Sequence, residues 1–480
     1  MSQRCRSLVL LISLPLLAGF SAAQQSGGDQ SYFGAIFGVE GKDISDGCSR
    51  KDVTGTKPVS KFVVGCLENL FHGNKGFYGS FENLPPGNSI ALGAAFKDSE
   101  LNTKGWRLNY QIDGQGSFNG SWTAGGLLTM RKSPTFKTDD KGNPTSPVVV
   151  VHGPVPKTLP ELGQNESTLV LNLYAFHTSL NQVDYYGIGP GTVVTDRAVF
   201  GLRETMTGIN ADKALKYGFH FVGEANGRWP EVGPDPGQSS PSIEQAYTEA
   251  TAPGLATQPG FLQFGEGLQY KNHLGGLGKD AAFGLNADLD YDVNFQQFIA
   301  PAESIFSFRR LTIDVTNDIH LLKRFTPKSG SATSEQIGTL ELRGWMAESI
   351  APAGNSVPFY FQPTLGGGDI DKERTLASFA DYRFRAPNAL LLRAQYEEPL
   401  PKFSFLGVVF RADAGKIGDA RDDIDLTHMR HSFGAGISLR AGNFPYLMLM
   451  YAWAGGEGSR TFVDVNLSSI SSTGGAASLW

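Results

Sequence analysis

From Phe283 to Phe295 the chain alternates without a break. Phe283, Leu285, Ala287, Leu289, Tyr291, Val293 and Phe295 share one face; Gly284, Asn286, Asp288, Asp290, Asp292 and Asn294 share the other. Successive side chains of an extended chain point to opposite sides, so period two predicts a strand. Its length is the informative part. Strands in water-soluble domains average about five or six residues. A tilted strand that crosses a bilayer needs about 9–11, with lipid on one face and a wet lumen on the other. Four further stretches repeat the pattern. Trp106, Leu108, Tyr110 and Ile112 oppose Arg107, Asn109, Gln111 and Asp113, and Leu390, Leu392, Ala394 and Tyr396 oppose Arg393, Gln395 and Glu397. Leu406, Val408, Phe410 and Ala412 oppose Gly407, Arg411, Asp413 and Gly415, and Phe433, Ala435, Ile437 and Leu439 oppose Ser432, Gly434, Gly436, Ser438 and Arg440.

Weaker strand signals cover 89–97, 121–132, 168–179, 197–208, 215–228, 261–271, 306–319, 339–348, 446–454 and 460–467. A closed barrel with both ends on one side of the membrane wants an even number of strands. The β-branched run at 147–154 therefore enters as the sixteenth. The expected fold is all-β, a closed antiparallel 16-stranded transmembrane barrel over residues 89–467. Short inner turns are expected around Asp212, Pro399 to Lys402 and Gly442 with Asn443, and long outer loops at 133–146, 229–260, 350–388 and 416–428. The segment 320–337 is longer than an inner turn should be. Ser242-Ile243-Glu244-Gln245 reads as a capping-box start for a short helix within 229–260.

The ends of the chain add a compartment. Arg4 and Arg6, the apolar stretch from Leu8 to Phe20 and the small residues Ser21-Ala22-Ala23 form a cleavable secretory signal over 1–23. Residues 24–88 then read as a periplasmic or plug segment with a short helix bearing Phe62, Val63, Cys66, Leu67, Leu70 and Phe71 on one face. Residues 468–480 read as a tail. In an oxidising compartment Cys48 and Cys66 are either a disulfide or two free thiols. Composition narrows the partners. With 41 Lys and Arg against 47 Asp and Glu, the net charge is −6, which gives no basic field for nucleic acid. After the signal no apolar run is long enough for a membrane helix.

Several motifs, in order, resemble the BamA/TamA-like superfamily of outer-membrane assembly and secretion barrels, the bacterial surface antigen family. Tyr185-Tyr186-Gly187-Ile188-Gly189-Pro190-Gly191-Thr192 looks like its aromatic-Gly-Ile-Gly turn, and Leu365-Gly366-Gly367-Gly368 resembles the opening of its sixth outer loop. The run Phe410 to Ile417 looks like its thirteenth strand. Gly434-Ala435-Gly436, Tyr451-Ala452-Trp453 and Glu457-Gly458 follow the order of its last strands. The resemblance implies that residues 350–388 fold into the lumen and occlude it. The chain departs from the family at its end, where a Ser/Gly-rich segment, 468–479, follows Leu467 before Trp480 in place of an aromatic residue closing the last strand. It also departs in its loop and N-terminal segment. Where the family's loop presents an Arg-Gly-aromatic tip, this chain has Leu376-Ala377-Ser378-Phe379. Gln395 stands at the strand-12 acid, while Asp413 keeps the strand-13 position, leaving Arg374 or Arg383 as its expected partner. Residues 24–88 hold no series of POTRA repeats. The segment Leu365, Gly366, Gly367, Arg374, Leu376, Phe379 and Arg383, with lumen residues Arg393, Gln395, Arg411 and Asp413, is thus the candidate site.

No catalytic, cofactor or metal constellation emerges. The glycines at 187–191 lack the following helix of a dinucleotide loop. His428 and His431, near Asp422, Asp423 and Asp425, match no standard metal spacing and read as a solvated loop. Asp288, Asp290 and Asp292 read as ordinary lumen carboxylates. The expectation is a non-enzymatic barrel in contact with outer-membrane lipids that handles polypeptide clients or periplasmic partner proteins. The alternatives are a passive or gated pore, in which inward Arg107, Arg393, Arg411 and Arg440 face acids across the lumen, and a surface-antigen or adhesive role for the outer loops.

Overall fold

The computed structural model describes residues 76–101, 106–132, 169–234, 240–277, 283–325, 333–400, 403–441, 444–454 and 456–465. They contain one antiparallel sheet of 16 strands, each paired with its neighbour in chain order. The strands are β1 (Gly76–Asn83), β2 (Ile90–Leu101), β3 (Trp106–Ser117), β4 (Trp122–Lys132), β5 (Leu169–Tyr185), β6 (Ala198–Ala214), β7 (Phe219–Pro234) and β8 (Phe261–Leu277). They continue with β9 (Phe283–Ile299), β10 (Phe308–Phe325), β11 (Thr333–Ile350), β12 (Asn388–Leu400), β13 (Phe403–Gly418), β14 (Arg430–Ala441), β15 (Phe444–Trp453) and β16 (Ser459–Val465). Alternation decides which face goes where. On β9, Leu285, Val293 and Phe295 are exposed on the outside, while Asp290, Asp292, Asn294 and Gln296 line an interior cavity. Leu392 and Ile437 are likewise exposed, and Arg393 next to Leu392 is buried.

Several expectations need correction. The first strand is Gly76–Asn83, so the sheet starts within the segment expected to precede it. The proposed strand at 147–154 lies outside the described residues, and β4 pairs directly with β5. Starting the count at Gly76 shifts which connections share an end. Those after β5, β7, β11 and β13 fall at one end of the sheet, and those after β4, β6, β10, β12 and β14 at the other. Residues 133–146, expected among the outer loops, lie outside the described residues. Asp212 lies inside β6 rather than in a turn. The oversized inner segment dissolves because β10 runs on to Phe325 and β11 begins at Thr333, which shortens the connection. Cys48, Cys66, the helix around Phe62 to Phe71, the signal and the tail lie outside the described residues.

A flat sheet of this size would hold its first and last strands roughly 70 Å apart at about 4.8 Å per strand. One short stretch touches both. Tyr382 donates its hydroxyl to the Pro86 carbonyl in the β1–β2 turn at 3.2 Å, and Arg374 Nε donates to Asp464 of β16 at 2.9 Å. Nine residues cannot bridge such a gap, since extended chain spans about 3.3–3.6 Å per residue. The sheet is rolled around the connection between β11 and β12. Among the described residues no ladder joins β1 to β16.

That connection, 351–387, packs inward. Phe359, Tyr360, Phe361 and Tyr382 join a buried cluster with Tyr185, Phe200, Phe261, Phe298 and Phe308 from the strand ends. Phe298 and Phe308 stack at 4.4 Å between centroids, and Phe361 meets Phe261 edge-on at 5.0 Å. Such aromatic pairs contribute about 0.5–1.5 kcal/mol each beyond their burial. Residues 240–260 cover the same cluster through Ile243 and Ala252. Ile243–Ala246 is the single helical turn the capping box predicts, with Ser242 N donating to Gln245 Oε1 at 3.4 Å.

Candidate functional site

Residues 364–385 make two miniature ladders inside the rolled sheet. Thr364–Leu365 pairs with Phe384–Arg385, and Gly367–Gly368 pairs with Arg374–Thr375. Gly367 has φ +57°, and a Cβ there would stand 2.6 Å from the Asp381 backbone, so glycine is required. Leu365, Leu376 and Phe379 are fully buried against Phe384, Leu391 and Ile417, with Trp345 at the edge. The tetrad that lacks the family's Arg and Gly is therefore an apolar foot.

The charges sit where the sequence reading did not put them. Asp413 does not pair with Arg374 or Arg383. Its Oδ1 accepts from Arg393 Nε at 3.0 Å and lies 3.4 Å from Arg411 Nε, all three side chains being buried. The reason is register: Arg393 stands directly opposite Asp413 on the neighbouring strand, and Arg411 two residues before it on the same face. Two guanidiniums on one carboxylate leave positive charge in excess, and the inward segment supplies the balance. Glu373 accepts from Arg393 Nη1 at 3.1 Å and also from Arg343 Nη1, while the Arg374 carbonyl accepts from Arg393 Nη2 at 2.5 Å and from Arg411 Nη2 at 2.8 Å. Arg343 is held in turn by both carboxylate oxygens of Asp314, at 2.8 and 2.5 Å. At this cluster the segment supplies acceptors, Glu373 and the Arg374 carbonyl, to arginines of the strands. Gln395 lies in register with Arg411 and Glu341 on that wall.

Arg374 turns to the last strand, donating to Asp464 and standing over the Phe462 ring at 4.3 Å. Arg383, almost fully buried, pairs with Glu457 and donates to the Thr192 hydroxyl at 2.9 Å and carbonyl at 2.7 Å. The glycine-rich stretch 186–193 thus forms a second cover. Gly189 N donates to the Arg385 carbonyl at 2.8 Å, and Arg430 reaches the Pro190 carbonyl at 2.7 Å.

The rolled sheet also holds a cavity of about 1120 Å³, lined by strand residues and by Asp369, Ile370, Asp371, Lys372 and Glu373. Ten carboxylates and six cationic side chains face it, so acids predominate. Glu224 accepts from the amides of Gln296 at 2.8 Å, Gln263 at 3.0 Å and Asn226 at 3.2 Å, and Arg228 pairs with Glu204. Burial, with Asp371 and Glu373 beside it, pushes the Asp369 carboxyl well above the usual carboxylate range. Asp288 bridges His273 at 2.6 Å and His320 at 2.8 Å. Asp425 is engaged by Lys416 and Thr427. Among the described residues no three His, Cys, Asp or Glu stand together as a metal site.

Glu373, Arg343, Asp464 and Asp381 are the site residues that the sequence reading missed. The signal was available as a charge count: Arg393 and Arg411 outnumber Asp413 on adjacent inward positions, which requires another acceptor.

No known family profile matches the chain, and no curated protein does. Among solved structures it is similar to BamA from Haemophilus ducreyi lacking POTRA domains 1–3, at 12% identity and TM-score 0.45, over 81% of this chain and 68% of that one. It is also similar to CdiB from Acinetobacter baumannii (9%, TM-score 0.38, over 91% and 71%) and CdiB from Escherichia coli (11%, TM-score 0.40, over 81% and 61%). At these TM-scores the likeness says nothing of function, and the functional reading comes from the chain's own residues.

Proposed function

We propose that the rolled sheet closes into a 16-stranded barrel in the bacterial outer membrane and acts on polypeptide there, in assembly, insertion or translocation, with no catalytic centre of its own. The observation that carries the reading is an uncovered apolar outer face around a polar lumen that a folded-in segment occupies. Apolar patches beyond a few hundred Å² are rare on soluble monomers, and this one follows the strands around the sheet. Lipid is the environment that covers such a face without burying its polar reverse. The motifs that resemble the assembly barrels favour polypeptide as the client. An ion-paired inward segment also suits a barrel that opens only when engaged.

A second reading, a gated pore, is favoured by the cavity itself. Its excess of carboxylates would prefer cations, as rings of acidic side chains do in cation channels. Proteoliposomes separate the two. On the first reading, the protein speeds insertion or translocation of an unfolded outer-membrane polypeptide relative to empty liposomes. No acceleration, together with passage of small cations, would replace it with the second.

A further inference from the structure

The contacts of residues 366–383 fall on the two extremes of the sheet. On the first hairpin, Gly368 lies so close to Pro86 that an added Cβ would meet its Cγ at 2.5 Å, and Tyr382 donates to the Pro86 carbonyl. That turn is stiff. Asn88, fully buried, donates to the carbonyls of Pro85 at 3.1 Å, Pro86 at 3.1 Å and Gln182 at 2.7 Å. A grip on Pro86 is therefore a grip on β1 and β2.

On the last strand, Arg374 holds Asp464 and covers Phe462, and Arg460 donates to the Phe379 carbonyl at 3.2 Å. Asp381 links the two sides. Its Oδ1 accepts from Gly368 N at 2.7 Å, and its carboxylate lies 3.6 Å from Arg374 and 3.8 Å from Arg460. The path from the first hairpin to the last strand thus runs through Pro86, Gly368, Asp381 and Arg460, with no intervening strand.

We infer that residues 366–383 are an internal strap that ties the first hairpin of the sheet to its last strand, so that withdrawing the segment also loosens the two ends. The anchor on Arg343, Arg393 and Arg411 holds the strap to the wall, and the Asp381 bridge spans the ends. This stands on the contacts alone, whichever way the lumen is used.

Hydrogen exchange on the full chain in detergent micelles tests it with two variants. Gly368→Val wedges the strap off Pro86, and Asp464→Asn weakens its hold on β16 with little change in volume. Each should speed amide exchange about tenfold or more in both 76–83 and 459–465 while β7 to β9 keep their protection. Faster exchange confined to 366–383, or confined to the end that was mutated, would overturn the strap. If Gly368→Val unfolds the whole sheet, the Asp464→Asn result decides by the same criterion.

Discussion

Glu373 of the inward segment accepts a hydrogen bond from Arg393 Nη1 at 3.1 Å, while Arg393 Nε is held by Asp413. One guanidinium is thereby shared between wall and segment. Charge-assisted hydrogen bonds contribute about 1.5–3 kcal/mol, and removing one partner of a buried ion pair costs about 3–5 kcal/mol. Glu373→Ala should destabilise by the smaller amount. Asp413→Ala, which strands two buried guanidiniums, should cost the larger. Urea unfolding in detergent, with Arg393→Met to complete a double-mutant cycle, measures both. Equal effects, or no coupling between Glu373 and Arg393, would remove the anchor.

The outer face should reject charge and the lumen accept it. Leu392→Arg is expected to cost roughly 2–4 kcal/mol in a lipid-reconstituted folding equilibrium, and Thr316→Arg, which lines the cavity, close to nothing. Similar tolerance at the two positions would argue against a bilayer around the sheet.

Asp369 gives a pH dependence. A carboxyl whose folded pKa is raised favours folding while protonated. Its contribution is therefore complete below the unfolded value of about 4 and declines as pH rises toward the elevated folded value. Asp369→Asn retains an acceptor for Glu373 N, which Oδ1 now holds at 2.8 Å. The variant should match the parent near about pH 4 and exceed it at neutral pH, because the carboxylate titrates near 4 when unfolded. Urea midpoints at the two pH values check the sign; a variant that is less stable at neutral pH would reverse it.

The N-terminal cysteines make a separate prediction. In the oxidised mature protein Cys48 and Cys66 should be bonded, and mass spectrometry without reductant should find the pair two hydrogens light. Labelling of both thiols would show them free.

Strand periodicity made most of the sheet readable, because the outer and inner faces make opposite demands on alternate residues such as exposed Leu392 and buried Arg393. It failed at Gly76–Asn83, a stretch of only eight residues that includes two glycines. The segment's position was legible from its Leu-Gly-Gly opening and its length. Its partners were not. Pairing of Arg343 with Glu373, or of Arg374 with Asp464, depends on how a loop of irregular backbone meets strands distant in sequence, and no local pattern encodes that.

With residues 351–387 folded inward, the lumen of the proposed membrane barrel should be closed. Single-channel recording in planar bilayers should compare the intact protein with a variant lacking 369–385. The intact protein should stay mostly closed with brief openings. The deletion should conduct steadily and prefer cations in a salt gradient, because the seven carboxylates left around the cavity still outnumber its five remaining cationic groups. An intact protein that conducts like an open pore, unchanged by the deletion, would mean that the inward segment does not close the lumen.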